Sequence, residues 1–130
     1  MRKVTAALLV NNGLILIAKR KAGDKLANKW EFPGGKIEDG ETPEECLRRE
    51  IQEEFQIDVT VGDYFCSSTY HYDHGSIQLL AYWVHWKDGE LVPRAHDEFR
   101  WVPFSELENF DFAPADLPIV KKLKEKYGGV

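Results

Sequence analysis

The chain has 130 residues, of which 43% are hydrophobic and 30% charged, and its formal net charge is -5 at pH 7. This size and composition are typical of one globular domain, which we expect to span residues 1–130, and they exclude a second sizeable core. The acidic balance argues against a nucleic-acid polymer as the main partner, because proteins that bind such polymers usually present a basic face.

The cysteines and the N-terminal segment bear on the cellular compartment. Cys46 and Cys66 are the two cysteines, too few for a disulfide framework, and this favours a reducing cytoplasm. Residues 4–10 form an apolar run after two basic residues, but Asn11-Asn12-Gly13 interrupts the run far short of the roughly 20 apolar residues that a membrane span needs. We expect a cytoplasmic protein without a membrane span.

Two strands are predicted at the start of the chain. Residues 4–10 and 14–19 are rich in β-forming side chains, and the Asn11-Asn12-Gly13 segment between them favours a hairpin because Asn and Gly tolerate positive φ. Arg20 follows the second strand. On general grounds an arginine in this position is a solvated charge.

Residues 34–41 form a glycine-rich loop that leads directly into a predicted helix. Thr42 and Glu45 have the spacing of a capping box, and Pro43 occupies the first helical position, where its missing N–H costs nothing. The apolar residues of this helix recur every four positions and predict a buried stripe. They are Leu47, Ile51 and Phe55.

Three glutamates of the same helix predict the chemistry of the chain. Glu50, Glu53 and Glu54 stand at i, i+3 and i+4 and therefore share one edge of the helix, next to the apolar stripe. One interpretation is a solvated face that Arg48 and Arg49 neutralise. The other is a site for a hard divalent cation, Mg²⁺ or Mn²⁺, which takes oxygen ligands and often shares them with substrate phosphates. The glycine-rich loop immediately before the helix favours the cation.

The rest of the chain predicts further strands and a second helix. We expect strands at residues 59–61, 64–70, 77–86, 90–92 and 99–102, a turn at 71–75, and a helix at 117–127. His71 and His74 are three positions apart, but no further ligands with zinc spacing accompany them, so a zinc site is disfavoured. Strands that alternate with two main helices predict an α/β fold in which a mixed sheet packs between helices.

The spacing of Gly35, Glu41 and the segment 49–57 resembles the Nudix box, the motif of hydrolases that cleave nucleoside diphosphates linked to another group. One position differs from the family pattern. Gln56 stands where the family usually has glycine, the residue that lets a helix end with positive φ. Glutamine costs about 1 kcal/mol there if the left-handed conformation is kept.

The resemblance implies the Nudix α/β/α sandwich, a divalent metal and a set of site residues. It implies that the carboxylates of Glu50, Glu53 and Glu54, with the carbonyl of Gly34, bind Mg²⁺, or Mn²⁺ in its place. It implies that Glu53 and Glu50 are catalytic and that Arg49 orients a glutamate through an ion pair. Lys36 is placed either to meet a phosphate or to remain a free solvated lysine.

The general base stays open at the sequence level. Many relatives have a further glutamate in the loop before the last strand, where this chain has Ala95. Asp97 or Glu98 substitutes for it from a shifted loop, or Glu53 is the base.

The substrate-binding residues follow from a closer resemblance to the MutT branch of the family. Arg20 and Phe32 match residues that line the base pocket there. Asp116 stands where MutT proteins have asparagine and related cytidine-triphosphate pyrophosphohydrolases have aspartate. An ionised aspartate only accepts hydrogen bonds, which suits the cytosine amino group, whereas a protonated one could donate to a guanine edge. Alternatively, Asp116 is an ordinary helix cap.

We therefore expect a metal-dependent nucleoside-triphosphate pyrophosphohydrolase. Its substrate would be an oxidised purine nucleotide such as 8-oxo-dGTP, or a cytidine nucleotide, cleaved to the monophosphate and pyrophosphate. The alternatives are a Nudix hydrolase of another nucleoside diphosphate derivative and a non-catalytic nucleotide-binding sensor. The expected partner is a small-molecule nucleotide, not a nucleic-acid polymer or a membrane, and the expected assembly is a monomer or a homodimer.

Overall fold

A computed structural model describes residues 1–73 and 75–128 of the chain. The described residues form a six-stranded mixed sheet and two α-helices, together with short 3₁₀ helices at Phe104–Asn109 and Pro114–Asp116. The elements are β1 Arg2–Asn11, β2 Leu14–Arg20, β3 Trp30–Glu31, α1 Pro43–Phe55, β4 Asp58–Tyr72, β5 Gly75–Asp88, β6 His96–Val102 and α2 Leu117–Tyr127. None of these helices is long and apolar enough to cross a membrane.

The sheet has the strand order β3-β2-β1-β5-β4, and β6 also pairs with β2. β1 and β5 are parallel, and the other pairs are antiparallel. β1 pairs with β2 only beside their hairpin. Nearer the start of β1, the backbone N–H groups of Thr5 and Ala7 donate instead to the carbonyls of Gly35 and Pro33, at 2.8 and 2.7 Å. The glycine-rich loop is therefore held in the gap where the two strands separate.

The helices cover opposite faces of the sheet, and the strands supply both cores by simple alternation. Ala6 and Leu8 of β1 belong to the core that contains α2, whereas Ala7 and Leu9 belong to the core that contains α1. The apolar stripe predicted for α1 is fully buried in the second core. The predicted α/β fold, a mixed sheet between helices, is confirmed.

Helix α1 begins at the predicted capping box and ends in a left-handed conformation at Gln56. Thr42 accepts from the Glu45 N–H at 3.1 Å, while the Glu45 carboxylate accepts from the Thr42 N–H at 2.9 Å, so the predicted capping box forms. At the other end Gln56 adopts φ 61° and ψ 28°, and its N–H bonds to the Gln52 carbonyl. The left-handed helix end thus survives without glycine.

One strand prediction is wrong, and two predicted strands are parts of a single strand. Residues 59–61 and 64–70 belong to one long strand, β4, whose pairing with β5 has irregularities between Val61 and Cys66. Residues 90–92 form no strand. Instead, the N–H groups of Val92 and Arg94 bond to the carbonyls of Phe55 and Glu54, because the last carbonyls of α1 lack helical partners. The expectation that His71 and His74 form no zinc site stays a prediction, since His74 lies outside the described residues.

Candidate active site

Two adjoining cavities open where the glycine-rich loop, α1 and the start of β6 meet. The first, here called the acidic cleft, is lined by Arg20, Asp24, Glu31, Gly34, Glu50, Glu53, Glu54, Ala95 and His96. The second, here called the inner pocket, shares Arg20, Glu31 and Gly34 with the cleft and extends over the sheet to Phe32, Tyr72, Ile77, Leu79 and Asp116. The structure therefore brings most of the predicted site residues to one place.

Arg49 organises the carboxylates of the box. Its guanidinium donates to both carboxylate oxygens of Glu41, at 2.7 and 2.9 Å, and to Glu50 at 2.8 Å and Glu53 at 3.3 Å. It also reaches the Lys36 carbonyl at 3.1 Å and so ties the loop to the helix. The hydrogen bonds from Arg49, with one from the Glu38 backbone, lower the pKa of Glu41 to about 2. Arg49 therefore has the orienting geometry that the resemblance implies.

The two neighbouring glycines allow close approach on both sides of the loop. A Cβ atom at Gly35 would lie 2.3 Å from the carboxyl carbon of Glu50, and one at Gly34 would lie 2.1 Å from the Thr5 carbonyl oxygen. A side chain at Gly34 would clash with the backbone of Thr5, and one at Gly35 would displace the Glu50 carboxylate. The loop is thus pressed between β1 and the first glutamate of the cluster.

Glu54 is the buried member of the cluster, with 7% of its surface exposed. Burial, a hydrogen bond with Glu50 and the charge of Glu31 raise the pKa of its carboxyl well above the usual range. Its Oε1 atom is buried and has no hydrogen-bond partner among the described residues. Such an oxygen costs free energy unless a ligand satisfies it.

The sequence did not predict the contacts that link Glu54 to His96, Glu31 and Arg20. The His96 Nε2 atom lies 2.9 Å from Glu31 Oε2 and 3.8 Å from Glu54 Oε1, and Arg20 donates to Glu31 Oε1 at 2.8 Å. The His96 ring stacks on Phe55 of α1. The sequence offers one indication of these contacts. Glu31 is adjacent to Phe32 and His96 is adjacent to Ala95, and the resemblance had singled out both Phe32 and Ala95.

The donor set fits a hard divalent cation in its chemistry. It consists of oxygens, one of them the orphaned atom of Glu54. Within residues 1–73 and 75–128, however, no group of three or more His, Cys, Asp or Glu side chains forms a ready-made metal site. In this arrangement Arg49 holds one oxygen each of Glu50 and Glu53.

Asp116 and Phe32 meet at the inner pocket. The Asp116 side chain is buried, and its Oδ2 atom accepts from the Phe32 N–H at 3.0 Å. Asp116 makes no capping hydrogen bond at the start of α2, so the interpretation as a helix cap is wrong. Burial and the nearby charge of Glu31 raise the pKa of the Asp116 carboxyl well above its usual range. The Phe32 ring is buried against Phe112.

Two other predicted residues lie at the edge of the site or away from it. Lys36 is exposed and lines the mouth of the inner pocket. Glu98 accepts from Arg100 at 2.7 Å, and that guanidinium lies over the Trp30 ring on the α2 side of the sheet. The structure does not bring Glu98 to the three glutamates, whereas Ala95 lines the acidic cleft.

The chain belongs to the NUDIX domain family, whose sequence pattern matches residues 1–123, and it is an enzyme of the hydrolase class. A CTP pyrophosphohydrolase from Escherichia coli (strain K12) is 36% identical over 121 residues, 93% of this chain and 90% of the relative. An 8-oxo-dGTP diphosphatase from the same strain is 37% identical over 127 residues, 95% of this chain and 98% of the relative.

Solved structures agree with this assignment. The solution structure of the DNA mismatch repair protein MutT, family Nudix hydrolase, from methicillin-resistant Staphylococcus aureus 252 is 34% identical, with a TM-score of 0.77. The similarity covers 96% of both chains. The family resemblance seen in the sequence is confirmed.

Proposed function

We propose that this hydrolase cleaves a nucleoside triphosphate to the monophosphate and pyrophosphate, with an oxidised purine nucleotide such as 8-oxo-dGTP or a cytidine nucleotide as its substrate. One observation carries the proposal. The acidic cleft adjoins a partly apolar pocket that ends at a buried aspartate, so one molecule can place its phosphates in the first and its base in the second. The names of the two relatives support both bases.

Glu50, Glu53, Glu54 and the Gly34 carbonyl would hold Mg²⁺, or Mn²⁺ in its place. When bound, such an ion neutralises charge on phosphate oxygens and lowers the pKa of bound water. Arg49 holds Glu50 and Glu53 at the cleft, and Lys36 at the mouth of the inner pocket is placed to pair with a phosphate.

Glu53 is the general base in this proposal. Its side chain is 60% exposed and lines the cleft, so it can meet an attacking water, whereas Glu54 is buried and Glu98 faces Arg100. An exposed carboxylate that lines the cleft can accept the proton that the water loses.

Asp116 and Arg20 select the base. The raised pKa of Asp116 favours the protonated carboxyl, which can donate to a carbonyl such as the guanine O6 atom. If the base supplies an amino group, as cytosine does, the ionised form accepts instead. Arg20 lines the pocket beside Asp116 and is held there by Glu31.

The test is pyrophosphate release with Mg²⁺ across a panel that contains 8-oxo-dGTP, dGTP, CTP and 5-methyl-dCTP. Preference for the oxidised guanine identifies Asp116 as a donor, and preference for cytosine identifies it as an acceptor. If no triphosphate is cleaved, the proposal fails. Release of other products from nucleotide sugars or dinucleotides then points to another nucleoside diphosphate derivative, and binding without cleavage to a sensor.

We further propose that residues 1–130 form one Nudix domain that works in the cytoplasm as a monomer or a homodimer. The match over residues 1–123 and the low cysteine count support this proposal. Sedimentation of the purified protein across a range of concentrations decides the assembly state.

A further inference from the structure

We propose that Thr5 is a positioning residue of this site, whose hydroxyl holds the Gly34–Gly35 peptide so that the Gly34 carbonyl faces the acidic cleft. The inference rests on the proposed function for what that carbonyl binds. Thr5 is not part of the Nudix box, and it lines the inner pocket beside the glycine-rich loop.

The contacts of Thr5 converge on Gly35 and involve the peptide groups on both sides of it. Its backbone N–H donates to the Gly35 carbonyl at 2.8 Å, and its hydroxyl donates to the same oxygen at 3.1 Å. The Gly35 N–H in turn lies 3.3 Å from the Thr5 hydroxyl oxygen, which accepts its hydrogen bond. Thr5 is 1% exposed, so water does not compete for these groups.

The planarity of the peptide carries the effect across to the cleft. In a trans peptide the carbonyl of one residue and the N–H of the next point in opposite directions. Because the Gly35 N–H points at Thr5, the Gly34 carbonyl points away from Thr5, and Gly34 lines both cavities. By accepting from the Gly35 N–H, the Thr5 hydroxyl oxygen thereby fixes the direction of the Gly34 carbonyl, which points away from Thr5.

A glycine pair needs such a hydrogen bond more than other sequences do. Without Cβ atoms, the peptide between Gly34 and Gly35 can rotate with little steric cost. Cys46 of α1 contacts the following peptide and Thr5 itself, with its Sγ atom 3.4 Å from the Gly35 carbonyl and 3.4 Å from the Thr5 hydroxyl. Burial raises the pKa of the Cys46 thiol to about 11, so the sulfur stays protonated and can donate.

The experiment compares Thr5→Val, which keeps the shape of the side chain but removes its hydroxyl, with Thr5→Ser, which keeps the hydroxyl. We expect Thr5→Val to bind Mn²⁺ about tenfold more weakly, measured by electron paramagnetic resonance, since removing a group that orients a ligand weakens metal sites by about 10- to 100-fold. We also expect the Gly35 amide hydrogen of Thr5→Val to exchange with solvent faster than that of the wild type, as measured by NMR. We expect Thr5→Ser to keep the wild-type Mn²⁺ affinity and the wild-type exchange rate of the Gly35 amide.

Ser68→Ala is the matched control. It also removes a buried hydroxyl from the sheet, but one with no hydrogen-bond partner among the described residues. We expect it to keep the wild-type Mn²⁺ affinity. Under nucleotide turnover, the metal concentration needed for half-maximal rate should rise in Thr5→Val relative to both the wild type and Ser68→Ala.

Thr5→Val that binds Mn²⁺ within about twofold of the wild type overturns the proposal, as does a Thr5→Ser variant as weak as Thr5→Val. If Thr5→Val does not fold, Thr5→Ala replaces it, and equal Mn²⁺ binding by the Ala and Ser variants overturns the proposal. Wild-type Mn²⁺ binding without cleavage of any triphosphate overturns the proposed function alone. Absence of wild-type Mn²⁺ binding overturns both.

Discussion

Single residues of this site carry roles that depend on their surroundings more than on their type. Glu50, Glu53 and Glu54 are chemically alike and lie on one turn of helix, yet their surroundings differ. Arg49 contacts Glu50 and Glu53, of which only Glu53 is largely exposed, and Glu54 is buried with an orphaned oxygen. Different environments give like carboxylates different proton affinities. We therefore assign proton transfer to the exposed one.

Replacing Glu53 with Gln tests that assignment. We expect turnover to fall by about 10²- to 10⁴-fold, the range for the loss of a general base. The fold should survive, because the side chain is 60% exposed. The measurement is kcat under saturating metal and nucleotide, with circular dichroism as the check on folding. Glu98→Gln is the comparison, and an equal loss there would move the base to β6.

Asp116 gives a prediction for stability against pH. Its pKa in the folded state lies above the value in the unfolded state, so the folded protein binds the proton more tightly. Stability from this group is present at low pH and is lost as the pH rises from the unfolded pKa through the folded one. Asp116→Asn does not titrate, and its amide oxygen can still accept from the Phe32 N–H.

We therefore expect the free energy of unfolding of Asp116→Asn, relative to the wild type, to rise through the window that begins at about pH 4, the pKa of an unfolded aspartate. Urea unfolding at several pH values measures this difference. A difference that stays constant across that window would show that Asp116 does not titrate abnormally in the folded protein.

At the scale of elements, α1 and its two ends organise the site. The capping box fixes where the helix begins, Arg49 ties it to the loop, and residues 92–94 bond to its last carbonyls. These contacts bring His96 from β6 beside Glu31 and Glu54. The end of α1 at Gln56 is conformationally strained, because a residue with a side chain occupies a left-handed conformation there.

Gln56→Gly is expected to raise the free energy of unfolding by about 1 kcal/mol, since glycine pays no steric cost at positive φ. The midpoint of urea unfolding measures the gain. Gln56→Asn, whose side chain tolerates this conformation better than glutamine, should fall between the two. A destabilised glycine variant would mean that the glutamine side chain contributes packing that outweighs the backbone strain.

At the scale of the whole molecule, the two apolar cores and the acidic cleft occupy different places. The two apolar cores lie on opposite faces of the sheet, each under one helix, and the acidic cleft opens beside the loop and α1. Neither core depends on a charged ligand for its packing.

Metal removal should therefore abolish activity and leave the fold. We expect a chelator to stop turnover and Mg²⁺ to restore it, while the thermal unfolding midpoint shifts by no more than about 3 °C. Turnover assays and a calorimetric scan with and without chelator measure the two effects. Unfolding by the chelator would contradict the separation of core and site.

The sequence by itself determined the helix α1, its capping box, the edge of three glutamates and the α/β fold. Each of these follows from local spacing, because a helix has a fixed period and a cap needs only neighbouring residues. Sequence spacing also placed Arg20, Phe32 and Asp116 among the substrate residues, through the family resemblance, and the structure lines one pocket with all three.

Only the tertiary structure decided which distant residues meet. His96, Glu31 and Thr5 come to the site through strand pairing and the gap between β1 and β2, and Glu98 leaves it through its position on the α2 side of β6. The continuity of β4 and the absence of a strand at residues 90–92 were likewise set by partners far along the chain. Hydrogen bonds between sheet strands and to helix ends satisfy whichever backbone groups the fold brings near, and no local pattern specifies those partners.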